Sequence, residues 1–179
     1  MRKNIAISSE IEELLNKQVV LEASASTNYL AMASWCDGKG YSNAATYFYE
    51  QSDEERSHML KVFHYINDVG GEAAAAKVTD IQADFVSLRD VFETALENEI
   101  LVSKAINKIV EVTKKDKDYS TEQFMQWFVA EQREEEMIAR RAVELFEMLG
   151  DDKLALFMID ERIANLKKSV APDAGAEQA

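Results

Sequence analysis

Along most of its length this chain places apolar side chains three and four residues apart, the spacing that lines one face of an α-helix. Five helices are expected. The first spans about Ser9 to Cys36 and stops at Asp37-Gly38-Lys39-Gly40. The second starts at a Ser42 cap and ends at Gly70-Gly71, and the third starts near Ser87 and fades within Lys114-Lys115-Asp116-Lys117-Asp118. The fourth opens at Ser120 or Thr121, where Ser120-Thr121-Glu122-Gln123 has the form of a capping box, and ends at Gly150. A shorter fifth helix covers about Asp152 to Lys168. Residues 1–170 are expected to form one domain, and the small, polar residues 171–179 a disordered tail.

The connections predict how these helices are arranged. Three links are short, so the helices they join are expected to run antiparallel. The link from Gly71 to about Val86 is longer. A helix of about 28 residues is roughly 42 Å long, and an extended link of about 16 residues can reach roughly 53 Å. The second and third helices can therefore be parallel, joined by one crossover along the length of an all-α four-helix bundle.

Composition supports long helices, because the chain has one Pro and only six Gly. No apolar run is long enough to span a membrane. The start, Met1-Arg2-Lys3-Asn4, leads into an amphipathic pattern without the apolar core of a signal peptide. A single cysteine, Cys36, excludes an internal disulfide or a thiolate metal cluster, and a cytoplasmic location is expected. The formal charge of −13 argues against nucleic acid as a partner and favours cations. By itself, though, that charge is equally compatible with acidic faces that only keep helices in solution.

The position of the acids changes this picture. The apolar stripe of the first helix passes through Gln18 and Glu22. That of the second passes through Gln51, Glu55 and His58, the third through Glu99, and the fourth through Glu131, Gln132 and Glu135. Each interruption falls toward the middle of its helix, and no Lys or Arg shares these stripes near the acids. Buried unpaired carboxylates cost several kcal/mol each, and neighbouring ones raise one another's pKa. A bound multivalent cation is the simplest compensation. Glu55-x-x-His58 sets a carboxylate and an imidazole one turn apart on one face. With Glu22 and Glu99 this makes an oxygen-rich, imidazole-poor set suited to iron or manganese, whereas structural zinc would want more Cys or His.

At these residues the chain resembles the bacterial non-haem ferritins, over roughly residues 9–168. The likeness is carried by Leu21-Glu22 with Tyr29 and Ser34-Trp35-Cys36, by Glu54-Glu55-Arg56-Ser57-His58-Met59, and by Glu97-Asn98-Glu99. It continues through the run from Gln126-Trp127-Phe128 to Glu134-Glu135-Glu136. The resemblance implies that Glu22, Glu55 and His58 ligate a first iron of a di-iron centre. Glu55 would bridge to a second iron held by Glu99, with Gln132 a weak or indirect ligand. Glu54, Glu131, Glu134 and Glu135 would form a third iron site toward the interior of a hollow homo-oligomeric cage of 24 subunits. Tyr29 would stand beside the di-iron centre, although it is equally readable as an ordinary core aromatic. Trp127 is expected in the core, and His64 outside the ligand set.

Two departures matter. Where bacterioferritins carry a second Glu-x-x-His, this chain has Gln132-x-x-Glu135, so the second iron should be held less firmly. Where they place a haem-ligating methionine after the bridging glutamate, this chain has Arg56, so no haem is expected. The implied activity is ferroxidase: Fe(II) is oxidised by O2 or H2O2 and stored as a ferric oxide mineral. Two alternatives stay open: another di-iron or di-manganese bundle enzyme, such as a peroxidase or catalase, and a metal-free helical scaffold.

Overall fold

The chemistry of each helix end explains where the helices begin and stop in the computed structural model, which describes residues 6–166. Helix α1 (Ser9–Lys39) opens at Ser8, whose hydroxyl accepts from the Ile11 N–H. It closes at Gly40 with φ of 86°, a left-handed conformation that glycine adopts without steric cost. Helix α3 (Leu88–Asp116) opens at Ser87, which accepts from the Asp90 N–H, and the Asp90 carboxylate accepts in return from the Val86 N–H. Helix α5 (Lys153–Ile163) opens at Asp152, which accepts from the Leu154 and Ala155 N–H groups.

Two expected starts are corrected. Helix α4 (Tyr119–Leu149) begins before the anticipated Ser120 or Thr121, because Asp118 is the cap and its carboxylate accepts from the Thr121 N–H. In helix α2 (Ser42–Asp68), Ser42 is the first helical residue, and the cap position, Tyr41, makes no side-chain cap bond. The free N–H groups there are served instead by Asp160 of α5, which accepts from the Asn43 and Ala44 N–H groups at 3.3 and 2.9 Å. The first helix also runs to Lys39 rather than Cys36. Helix α5 extends to Ile163 and Leu166 is again helical; the expected end at Lys168 and the anticipated tail fall within residues 167–179, which lie outside the described residues.

Side-chain pairings set the topology. Ser26 pairs with Ser52, and Asn16 and Glu12 reach residues 72–74, so α1 and α2 are antiparallel. Ser8 reaches Asp116 and Tyr29 reaches Glu99, so α1 and α3 are antiparallel too. It follows that α2 and α3 are parallel, as the long link predicts. That link is held along its first part. Gly71 passes so close to α1 and α2 that a Cβ there would lie 3.0 Å from the Ile66 side chain and 3.1 Å from the Glu12 carboxylate. Helix α4 runs antiparallel to α3, tied at one end by Arg89, which donates to Asp151 and to the Phe146 carbonyl.

The result is the expected all-α four-helix bundle with one crossover and a short fifth helix. The described residues include no strand, and no helix among them is long and apolar enough to cross a membrane. Its core has two parts. One is rich in aromatics, with Tyr29, Phe48, Phe92 and Phe146 near the α5 end. The other is mostly aliphatic, with Ile11, Leu15, Val62, Ile66, Ile106 and Ile109 toward the far end. Burying one such side chain contributes about 1.5–3 kcal/mol. Between the two parts lies a band that is not apolar.

Candidate metal centre

The band is assembled from all four long helices. Gln18 and Glu22 come from α1, Gln51, Ser52, Glu55 and His58 from α2, Glu99 from α3, and Gln132 and Glu135 from α4, every one of them buried. Each sits on the same face of its helix as the apolar residues on either side, so the packing that buries those residues carries the polar ones inside. Glu22, Glu55 and His58 bring one ligand atom each to within 4.8 Å of one another.

The rest of the band orients these groups. Gln18, one turn before Glu22, donates to its carboxylate at 2.7 Å. Gln51, one turn before Glu55, donates to Glu135 on the opposite helix at 2.9 Å. Glu99 accepts from the Tyr29 hydroxyl and from the Gln132 amide, which also donates to the Glu99 carbonyl at 3.1 Å. The His58 ring lies edge-on to Trp127 and Phe128, with centroids 5.3 and 6.1 Å away. Its Nδ1 is 3.4 Å from a Glu55 oxygen.

Four buried side-chain atoms of the band make no hydrogen bond: one oxygen each of Gln18, Glu22, Gln51 and Glu55. All four are acceptors. Buried polar atoms in folded proteins are nearly always satisfied, and what these oxygens lack is positive charge or a proton. The electrostatics agree. Burial, then the Glu55 charge, holds Glu22 well above the carboxylate range. Burial and the neighbouring Glu99 raise Glu55 to about 8. Burial raises Glu99 to about 7, against the opposing pull of the bonds from Tyr29 and Gln132. Burial, then the Glu99 charge, raises the Tyr29 hydroxyl. Crowded carboxylates of this kind take up protons when no cation is present and release them when one binds.

The residues singled out from the sequence therefore fall into several settings. Glu22, Glu55 and His58 converge. Glu99 joins them through its charge and through Tyr29, which is fully enclosed and bonded to it. Gln132 touches Glu99 through a donor nitrogen. Beside this group, half-buried Glu54 and Glu131 form a second set with His58, again with ligand atoms within 4.8 Å. Glu134 is half-buried and Glu135 buried; neither belongs to that second set, and Glu135 is engaged by Gln51.

Trp127 is a correction: it is 36% exposed rather than a core residue, with the Lys61 ammonium 3.2 Å from its ring centroid. His64 is exposed and belongs to neither carboxylate–histidine set. The glutamines at 18 and 51 were not assigned to the site from the sequence. Their signal is their place on the ligand stripes one turn before Glu22 and Glu55.

Comparison with known proteins adds a common pattern. A family model for the ferritin-like domain matches residues 12–163. The chain is 38% identical over 160 residues to a probable bacterial non-haem ferritin-like protein of Haemophilus influenzae, covering 89% of this chain and 97% of that protein. It is 36% identical over 163 residues to the bacterial non-haem ferritin of Campylobacter jejuni, covering 91% and 98% respectively. Among solved structures, an open-pore ferritin from the hyperthermophilic archaeon Archaeoglobus fulgidus superposes with a TM-score of 0.86 at 34% identity, covering 89% of this chain and 98% of that one.

Proposed function

Because this chain belongs to the ferritin family, we propose that it is an iron-storage subunit with ferroxidase activity. Its substrate is Fe(II), taken up at an intra-subunit di-iron site. Glu22, Glu55 and His58 hold the first ion, and Glu55 and Glu99 the second. The observation that carries this reading is the convergence of Glu22, Glu55 and His58 in the bundle interior with carboxylate oxygens that have no hydrogen-bond partner. A set of hard oxygen donors with one imidazole suits iron or manganese.

Two ferrous ions side by side give one electron each. Dioxygen accepts the pair with two protons and leaves as hydrogen peroxide; peroxide accepts a further pair with two protons and leaves as two waters. Paired transfer avoids one-electron oxygen radicals, and the redox chemistry is the metal's own. The protein supplies spacing and charge. Protonated carboxyl groups of the band give up their protons as ferrous iron binds. Tyr29 and Gln132 hold Glu99 in place, and the apolar regions on either side keep bulk water away.

Glu54 and Glu131, which stand with His58, serve as the next carboxylate station, with Glu134 and Glu135 as further acids outside that set, and through them Fe(III) passes to a ferric oxide mineral inside a 24-subunit cage. Arg56, in place of a methionine, supports a particle without haem. A cytoplasmic particle using O2 or H2O2 completes the reading.

The test is anaerobic loading with Fe(II), followed by O2 or H2O2, on particles of known native mass. Iron storage predicts oxidation within seconds, a mass near that of a 24-mer, and ferric iron accumulating far beyond two per chain. Retention of about two metals per chain with rapid peroxide turnover would indicate a peroxidase or catalase instead. Absence of metal binding would leave a helical scaffold.

A further inference from the structure

Gln132 belongs to two environments at once. Its amide bonds to Glu99 make it a wall of the carboxylate band. The same side chain lines a groove of about 520 Å³ between α3 and α4, bordered by Ser103, Asn107, Val129 and Met137. No other residue of the band lines this groove. Gln132 thus both lines the groove and hydrogen-bonds a proposed iron ligand.

The groove differs in charge from the side of the site that faces α2. Arg133 and Arg140 line it against a single acid, Glu136, and that acid is engaged by the Ser103 hydroxyl and by Arg140 itself. Toward α2, by contrast, Glu54 and Glu131 stand beside His58. Local fields of this kind sort ions strongly. Fe(II) is drawn toward the acidic side and disfavoured in the groove. A neutral molecule is indifferent to the arginines, and the apolar part of the wall, Ile106, Val129 and Met137, suits one of low polarity.

We propose that the α3–α4 groove conducts the small neutral oxidant, dioxygen or hydrogen peroxide, to the iron pair, and that Gln132 is its gate. With its amide on Glu99 the passage is closed. A rotation of that side chain, a motion common for gating groups, joins the groove to the site. Cation and oxidant then arrive from different sides, so the oxidant does not have to pass through the carboxylates that collect iron. This rests on the ferroxidase reading above.

The experiment uses the assembled full-length chain and fills the groove from either side with Asn107→Trp or Met137→Trp. Both positions are exposed, so neither change invades the core. Anaerobic binding of Fe(II), and of Co(II) as a redox-silent probe, is followed by rapid mixing of preloaded particles with O2 or with H2O2. Metal stoichiometry and binding rate should stay at the parent values, while the second-order rate constant for the oxidant falls about tenfold or more, as for a blocked access path.

Gln132→Ala should move that constant upward at matched iron occupancy. Slowing of only one oxidant supports the groove for that oxidant alone. Parent-like oxidation in both filled variants overturns the proposal, as does an equal slowing of anaerobic metal binding. A parent protein that binds Fe(II) but oxidises it slowly with both oxidants overturns the ferroxidase reading itself, a result distinct from failure of the groove.

Discussion

Glu22 and Glu55, 1% and 2% exposed, are buried almost as completely as Ile11 and Ile66 toward one end of the bundle and Phe48 and Phe146 toward the other. The two kinds of region nevertheless stand in opposite relations to water. The apolar ends gain from exclusion of solvent and need nothing else. The middle band loses from it: three of its carboxyl groups are pushed upward chiefly by burial, and four of its oxygens have no bonded partner. One fold thus contains regions that stabilise it unaided and a region that is at rest only when protons or cations are supplied. The lesson is that the ends provide the stability that lets the band remain unsatisfied, which is the usual relation of a scaffold to its site.

The largest effect should come from removing a carboxylate of the band. Glu55→Ala takes away the group shared by both proposed irons and is expected to slow Fe(II) oxidation by about 100-fold or more, since it removes the positioning of both ions. The particle should stay assembled, and its metal-free thermal midpoint should hold or rise, because a crowded acid has been deleted. Stopped-flow absorbance and calorimetry measure the two quantities, and parent-like oxidation kinetics would break the assignment.

Removing an apolar group should do the reverse. Phe146→Ala opens a cavity beside Phe92, their rings being 5.9 Å apart. It is expected to cost about 3–5 kcal/mol, which lowers the unfolding midpoint by on the order of 10 °C. Anaerobic metal stoichiometry, read by titration, should be unchanged. A loss of metal binding equal to that of Glu55→Ala would mean that the two regions are not separable.

A smaller effect concerns pH. Glu55 and Glu99 are raised in the folded protein to about 8 and about 7, from an ordinary 4.5. The folded metal-free protein therefore holds protons that the unfolded chain has already released. Stability from this source is complete below about pH 4.5 and declines as pH rises through about 7 to 8. The metal-free midpoint should fall by a few degrees over that interval, whereas particles saturated with a divalent cation should show no such fall. An identical pH profile with and without metal would refute this account of the band.

How much of this was legible beforehand varied from residue to residue. The helices were readable because apolar spacing of three and four residues recurs over long runs, and the crossover because one link alone could reach the length of a helix. Glu22, Glu55, His58 and Glu99 stood out because each interrupts an apolar stripe near the middle of its helix. The glutamines at 18 and 51 lie on the same stripes, but spacing does not reveal which carboxylate each amide would bond. Trp127 stands next to the stripe residue Phe128, so spacing alone does not fix its side, and only the packing of α4 leaves the ring edge-on to His58 and beside Lys61.

The sequence by itself determined local matters: which segments are helical, which face of each turns inward, and that acids lie on those faces. It could do so because helical periodicity and most caps act over three or four residues. The three-dimensional fold decided what depends on distant parts of the chain meeting. Asp160 caps a helix that begins more than a hundred residues earlier, and Gln51 reaches Glu135 across the bundle. Gln132 comes to stand between the carboxylates and a groove only once α3 and α4 are packed together. Such contacts follow from the angle and depth at which whole helices pack, and no short window of sequence encodes those.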